Sequence, residues 1–143
     1  MKESNIVKIE FPSKSCNEAF ARSAVACLAS QLDPTLDELG DIKTAVSEAV
    51  TNSIVHAYPD SLGKICIKAR LFHDNSIEIK IKDYGRGIPD IEQARQPMFT
   101  TGGEERSGMG FTIMESFTDY LRVSSKPGKG TTVTMRRKIS AKE

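Results

Sequence analysis

Polar and apolar positions alternate along several stretches of the chain and recur at helical spacing along others. Val7, Ile9 and Phe11 alternate with Lys8 and Glu10, which predicts a short strand with one buried face, ended by Pro12. Ile65, Ile67, Ala69 and Leu71 alternate with Cys66, Lys68 and Arg70. Ile77, Ile79 and Ile81 alternate with Glu78 and Lys80, and the segment His73-Asp-Asn-Ser76 between the two runs reads as a hairpin turn. Leu121 and Val123, and then Thr131 to Arg136, predict strands on either side of the turn Lys126-Pro-Gly-Lys-Gly130.

The helical stretches carry their own start signals. Ser15-Cys-Asn-Glu18 has the form of a capping box. The helix it opens places Phe20, Ala24, Cys27 and Leu28 on one face and Arg22 on another side. Asp33 as N-cap and Pro34 at the first helical position open a second helix. There Leu39, Ile42, Val46, Ala49, Val50, Ser53, Ile54 and Ala57 recur until Tyr58-Pro-Asp60 ends the run. Phe111 to Phe117 predicts a last helix, and Pro97 to Ser107 reads as a mobile loop with Gly102-Gly103 as its hinge. The order β-α-α-β-β-loop-α-β-β predicts an α/β (α+β) two-layer sandwich. Its sheet is expected to be mixed and mostly antiparallel, with the helices packed on one face. A length of 143 residues fits one domain over residues 1–143, with a real core, and the chain reads as complete.

Charge and cysteine content narrow the class. Lys+Arg is 20 against Asp+Glu 19, a balance with no footprint for direct nucleic-acid or anionic-membrane binding. The N-terminus is charged and no apolar run follows it, so a secretory leader is not expected, and Ala24 to Ala29 is too short to span a bilayer. Cys16, Cys27 and Cys66 are odd in number and lack C-x-x-C spacing. Free thiols in a cytoplasmic protein are the expectation, with Cys27 in the core.

Three short motifs carry the chemistry. On a wheel at ~100° per residue, Glu48 falls nearly opposite the apolar centre of the second helix, and Asn52 and His56 run back along the same polar strip. A carboxylate there can take a proton from a hydroxyl, and an amide oxygen one turn on is a hard ligand for Mg²⁺. Taken alone, the strip reads first as an ordinary solvated face, and His56 as a surface or packing residue. Asp83 shares parity with Ile77, Ile79 and Ile81, so an acid stands on the core side of a strand end and needs a partner. That partner is a turn, a cation or a ligand donor such as the adenine amine. Gly85 and Gly87 allow a close backbone turn beside it. Arg106-Ser-Gly-Met-Gly110 precedes the last helix, where backbone amides suit phosphate and Arg106 adds a fixed charge. Thr131, in phase with Val133 and Met135, points inward, as an adenine contact or as a core threonine.

In this order the motifs resemble the N, G1 and G2 boxes of the gyrase–Hsp90–histidine kinase–MutL superfamily of ATP-binding domains. Within it the chain resembles the anti-sigma factor serine kinases, specifically the anti-sigma F family of endospore-forming bacteria. The resemblance rests on Asn17-Glu-Ala-Phe-Ala-Arg22, Leu32-Asp-Pro-Thr35, Val46-Ser-Glu-Ala-Val-Thr-Asn52, Ala94-Arg-Gln-Pro97, Phe99-Thr-Thr101 and Arg106-Ser-Gly-Met-Gly-Phe-Thr-Ile-Met-Glu115. It implies a Bergerat-type fold that binds ATP or ADP with Mg²⁺. It also implies a homodimer that holds a sigma F-type factor inactive and phosphorylates a serine on an anti-anti-sigma protein. Carried onto this chain, Glu48 would be the general base and Asn52 the Mg²⁺ ligand. Asp83, Gly85, Gly87 and Thr131 would hold adenine. Thr100, Thr101, Arg106, Ser107, Gly108, Met109 and Gly110 would line the phosphates under a lid from Pro97 to Ser107. Arg22 resembles the family's partner-contact arginine. The chain departs from the family in the lid, where Gly102-Gly103 stands in place of a Lys-Pro pair and the lid is one residue shorter.

Other readings remain at this level. A nucleotide-gated sigma-binding module would need no phosphotransfer, although adenine binding alone gives no reason for Glu48. A kinase for a stress-type sigma factor would share every motif. A histidine kinase half would need a phosphoacceptor histidine, and His56 and His73 are poorly placed for that role. A fragment of a gyrase-type clamp ranks last.

Overall fold

The computed structural model describes residues 2–88, 90–95 and 110–140. Strand β1 (Glu3–Pro12) leads into helix α1 (Asn17–Ala29), a short 3-10 turn (Ser30–Leu32) and helix α2 (Leu36–Asn52). A single π-type turn (Ser53–Ala57) extends α2. The hairpin β2 (Lys64–Phe72) and β3 (Ser76–Asp83) follows, then the short α3 (Ile91–Ala94), α4 (Gly110–Ser116), β4 (Tyr120–Lys126) and β5 (Gly130–Lys138). The strands form one sheet in the order β1-β2-β3-β5-β4. Every ladder in it is antiparallel.

The expected two-layer arrangement is present. Ile65, Ile67, Ile79, Ile81, Val133 and Met135 alternate onto one face of the sheet, where Ile42, Ala45, Val46, Ala49 and Val50 of α2 cover them and Met114 of α4 joins them. Each such aliphatic side chain contributes about 1.5–3 kcal/mol on burial. The central helix is therefore set by its stripe and not by propensity alone. Asn75 turns the β2–β3 hairpin with a positive φ of 68°, a conformation asparagine tolerates.

Three local expectations are corrected. Helix α2 is capped by Thr35, not Asp33: the Thr35 hydroxyl accepts from the Glu38 N–H at 3.1 Å, and Glu38 Oε1 accepts from the Thr35 N–H at 2.9 Å. Asp33 instead takes the left-handed conformation that ends the 3-10 turn. Helix α1 begins after Cys16 without a side-chain cap, because Glu18 turns to Arg22, 3.3 Å away, and not back to Ser15. Its buried face is Ala21, Val25, Ala26, Leu28 and Ala29. Phe20 and Cys27 are exposed, so Cys27 is not a core residue. Ala19, Ala21, Ala24, Ala26 and Ala29 stand on several sides of α1, so its apolar surface is broad. The stripe Phe20, Ala24, Cys27 lies at the margin, on the side of the sheet that Val7 of the edge strand β1 faces, whereas Ile6 pairs with Arg70 on the other face.

Glu38 also ties the head of α2 to the end of the chain, accepting from Ser140 N–H at 2.8 Å and Ser140 Oγ at 2.9 Å. The Thr35 amide, working against burial and aided by Ser140, lowers its carboxyl from 4.5 to about 2. A depressed carboxyl stabilises the fold fully above its unfolded value, and the contribution drains away as pH falls from 4.5 towards 2. Glu38→Ala should therefore destabilise the protein by about 1–3 kcal/mol at neutral pH. Thermal melts of variant and wild type should converge as the pH is lowered through that window. A constant gap would show that the carboxylate's charge is not the source.

Candidate functional site

The site is built where α2 runs out over the end of the sheet. Parity brings Asp83 to the helix side of β3, and only 4% of it is exposed. Its Oδ1 accepts from the N–H groups of Gly85 and Thr131, each at 3.1 Å, and its Oδ2 accepts from Ser53 Oγ at 3.1 Å. Burial pushes the Asp83 carboxyl above the ordinary aspartate range, and the donors from Gly85, Ser53 and Thr131 act against that rise. Oδ2 keeps a lone pair for a further donor.

Helical phase brings Ser53 here, since it follows Val46, Ala49 and Val50 at the spacing of the buried stripe. A widened turn shifts the residues that follow it around the helix axis, a device common at functional sites. Ser53 heads this turn, one position after Asn52. Tyr58 closes it: its hydroxyl donates to the Lys64 carbonyl at 2.7 Å and accepts from the Tyr84 N–H at 2.6 Å. The segment after Asp83 is pressed against the turn, with Arg86 N–H donating to the Ala57 carbonyl at 3.3 Å. A Cβ on Gly85 would stand 2.4 Å from that same carbonyl, so no larger residue fits there without moving backbone. Gly87 has a φ of +77° and lies against the Lys126 carbonyl.

Thr131 is buried, and its hydroxyl lies 2.8 Å from Ser125 Oγ. Ser125 donates to the Gly130 carbonyl at 3.0 Å and accepts from Ile88 N–H at 2.8 Å. With the Ser125 proton so placed, the Thr131 hydroxyl is the donor between them, and it offers only acceptor lone pairs to a ligand.

Glu48 and Asn52 stand half-buried on the polar strip of α2. Gly110, at the head of α4, packs directly against them. A Cβ placed on it would meet Asn52 Oδ1 at 3.1 Å, Asn52 Nδ2 at 3.2 Å and Glu48 Oε2 at 3.4 Å. Among the described residues, no hydrogen bond or ion pair engages either the Glu48 carboxylate or the Asn52 amide. Arg22 lies beside the same helix, 3.3 Å from Glu18 Oε1 and 3.5 Å from the hydroxyl of Ser47, the residue before Glu48. Thr100, Thr101, Arg106, Ser107, Gly108 and Met109, and the segment from Pro97 to Ser107, lie outside the described residues.

Ser53, Tyr58 and Ser125 were not among the expected site residues. Ser53 had a legible sign, a hydroxyl in phase with the apolar stripe of α2. Ser125 likewise keeps inward parity with Leu121 and Val123. Tyr58 had none beyond its place at the end of a helix.

Among the described residues no group of histidine, cysteine, aspartate or glutamate side chains could hold a metal ion unaided. The donor set suits Mg²⁺ nonetheless, because that ion keeps most of its waters and takes few protein ligands beside substrate phosphate oxygens. Asn52 supplies one amide oxygen of that kind.

A two-layer α/β fold with an acid at the end of its middle strand and a carboxylate–amide pair on the covering helix defines a histidine kinase-like ATPase domain. The family model of that description matches residues 11–137. The chain is 56% identical over 140 residues to the anti-sigma F factor of Caldanaerobacter subterraneus subsp. tengcongensis, covering 97% of each chain. It is 51% identical over 137 residues to the anti-sigma F factor of Geobacillus kaustophilus, covering 95% of this chain and 94% of that one. The chain belongs to the anti-sigma F factor family. In fold it is similar to a solved structure of the RsbU and RsbW domains of a Mycobacterium tuberculosis protein. That match has a TM-score of 0.69 at 19% identity and covers 95% of this chain and 32% of the other. No helix among the described residues is long and apolar enough to cross a membrane.

Proposed function

We propose that a single domain, residues 1–143, holds a sigma F-type factor inactive and, as a Mg²⁺-ATP-dependent serine kinase, phosphorylates its anti-anti-sigma antagonist in the cytoplasm. One observation carries this reading above the others. Asn52 and Ser53 are consecutive, yet one faces the Gly110 and Glu48 side and the other bonds Asp83. A nucleotide with its adenine amine on Asp83 Oδ2 would thus extend its phosphates towards a carboxylate and the glycine-headed helix α4.

In that pose the hydroxyl oxygen of the acceptor serine attacks the γ-phosphorus while its proton passes to Glu48. The new serine O–P bond forms as the bond to the β-phosphate oxygen breaks, and ADP leaves. Asn52 would hold Mg²⁺, which offsets phosphate charge when bound. Arg106 and the amides of Gly108, Met109 and Gly110 would receive the phosphates, with Thr100, Thr101 and Ser107 in the lid. Gly85, Gly87 and Thr131 would frame the adenine.

Arg22 is the proposed partner contact, on an α1 whose Phe20 and Cys27 are exposed. The homodimer implied by the family would bury those residues with Val7. The test is γ-labelled ATP with Mg²⁺ and the anti-anti-sigma protein of the same host. Label on a partner serine is the expected result. Bound ATP without any label would turn the assignment to a nucleotide-gated sigma-binding module.

A further inference from the structure

The face of the sheet turned away from the helices carries a pattern that the nucleotide site does not use. Its cross-strand register aligns Lys8 with Lys68, Lys68 with Lys80, Lys80 with Thr134, and Thr134 with Arg122. This row crosses all five strands and contains no acid. At the ordinary strand spacing it spans about 19 Å. Lys82, Lys126 and Lys138 lie on the same face by parity, with the hydroxyls of Thr132 and Ser124 between them.

The acids of this face are already taken by cations outside the row. Glu10 lies 3.7 Å from Lys64, Glu3 lies 3.8 Å from Arg70, and the buried Glu78 is shared by Arg70 and Arg136. Among the described residues, Lys8, Lys68, Lys80 and Arg122 have no ion-pair partner. Like charges directly opposite one another destabilise a sheet. The row is thus a standing cost in the free protein, and an arriving negative surface would remove it.

We propose that this open sheet face is a docking surface for an acidic segment of a protein partner, with Lys8, Lys68, Lys80 and Arg122 as its contact row. The charge balance selects the partner's chemistry. The chain is only +1 overall, so a basic sheet face is offset by acids elsewhere, among them Asp37 and Glu48 on α2, which have no ion-pair partner among the described residues. A long polyanion would meet repulsion from that layer, whereas a compact acidic patch would feel the row alone. Lysines dominate the row, and their flexible point charges accept carboxylates from many directions, where arginine forks would demand one. The proposal is independent of the kinase reading, because the row lies on the opposite side of the sheet from Asp83.

The test uses the full chain and a short fluorescent polyglutamate peptide, with an oligothymidylate of similar length as the competing class. Anisotropy at low salt should show polyglutamate binding that weakens as salt is raised. Lys68→Glu with Lys80→Glu should weaken it about tenfold or more. Lys14→Glu, an exposed loop lysine off this face, should leave it unchanged. Three results would each overturn the proposal: wild-type affinity in the double reversal, an equal loss in the Lys14 variant, or tighter binding of the oligothymidylate through the same lysines. Should the reversal fail to fold, Lys68→Thr with Lys80→Thr keeps strand propensity and serves in its place. That pair should lose the peptide while melting at or above the wild-type temperature. A lower melting temperature would mean the lysines are structural, which also overturns the proposal.

Discussion

Glu48→Gln should leave ATP affinity unchanged and lower phosphotransfer by about 10²–10⁴-fold, the usual range for loss of a general base. The substitution keeps the shape of the side chain, so its packing against Gly110 survives. It removes the group able to accept the proton. No described partner holds the Glu48 carboxylate in place, so the change disturbs no ion pair or hydrogen bond of the fold. Single-turnover transfer from γ-labelled ATP, read beside equilibrium nucleotide binding, separates the two effects. Normal transfer in the variant would remove Glu48 from the chemistry. Loss of binding together with transfer would make it a structural or phosphate-site residue instead.

Asp83→Asn should act on the other quantity. Two amides, from Gly85 and Thr131, converge on Oδ1, so the single oxygen of asparagine will turn to meet them. Its NH₂ then replaces Oδ2 and faces the ligand amine donor to donor. Loss of a hydrogen bond to a charged group is worth about 1.5–3 kcal/mol, or roughly 10–150-fold in ATP affinity. Calorimetric titration with ATP measures it, and an unchanged affinity would place adenine elsewhere. The wild type should also bind ATP less well as the pH falls through the Asp83 carboxyl. That carboxyl lies above the ordinary 3.8 because of its burial, and only its ionised form has two acceptor oxygens. The asparagine variant should lack this acid limb.

Much of this was legible in the chain, and the exceptions have physical causes. Strict alternation through Ile77, Ile79 and Ile81 was enough to place Asp83 on the covered face, because parity leaves no freedom once one face is buried. The stripe of α2 was equally plain, for it buries Ile42, Val46, Ala49 and Val50 as a period of 3.6 requires. Helix α1 was harder. Its alanines make several faces equally apolar, and packing chose Ala21, Val25 and Leu28 over Phe20, Ala24 and Cys27. The sequence reading puts the cap of α2 at Asp33, two residues early. Thr35 won because Glu38 could close the reciprocal bond, and Asp33 had no equivalent partner at that spacing.

The site was half legible. Single residues with unusual parity, such as Asp83 and Thr131, declare themselves. The widened turn after Asn52, which carries the chain from Ser53 to Tyr58, leaves no periodic trace, since five residues are too few to establish a period.

The position of Asp83 in the strand order has a consequence for how the protein can yield. Strand β3 is the middle strand, and β1 and β4 form the two margins. Local opening proceeds from margins inward, since the outer strands have a neighbour on one side only. The margin at β1, with α1 and Arg22 above it, can therefore breathe or remodel around a visiting protein while the acceptor at the end of β3 stays assembled. Division of labour between rim and centre would let new partners be acquired at the periphery without renegotiating the nucleotide.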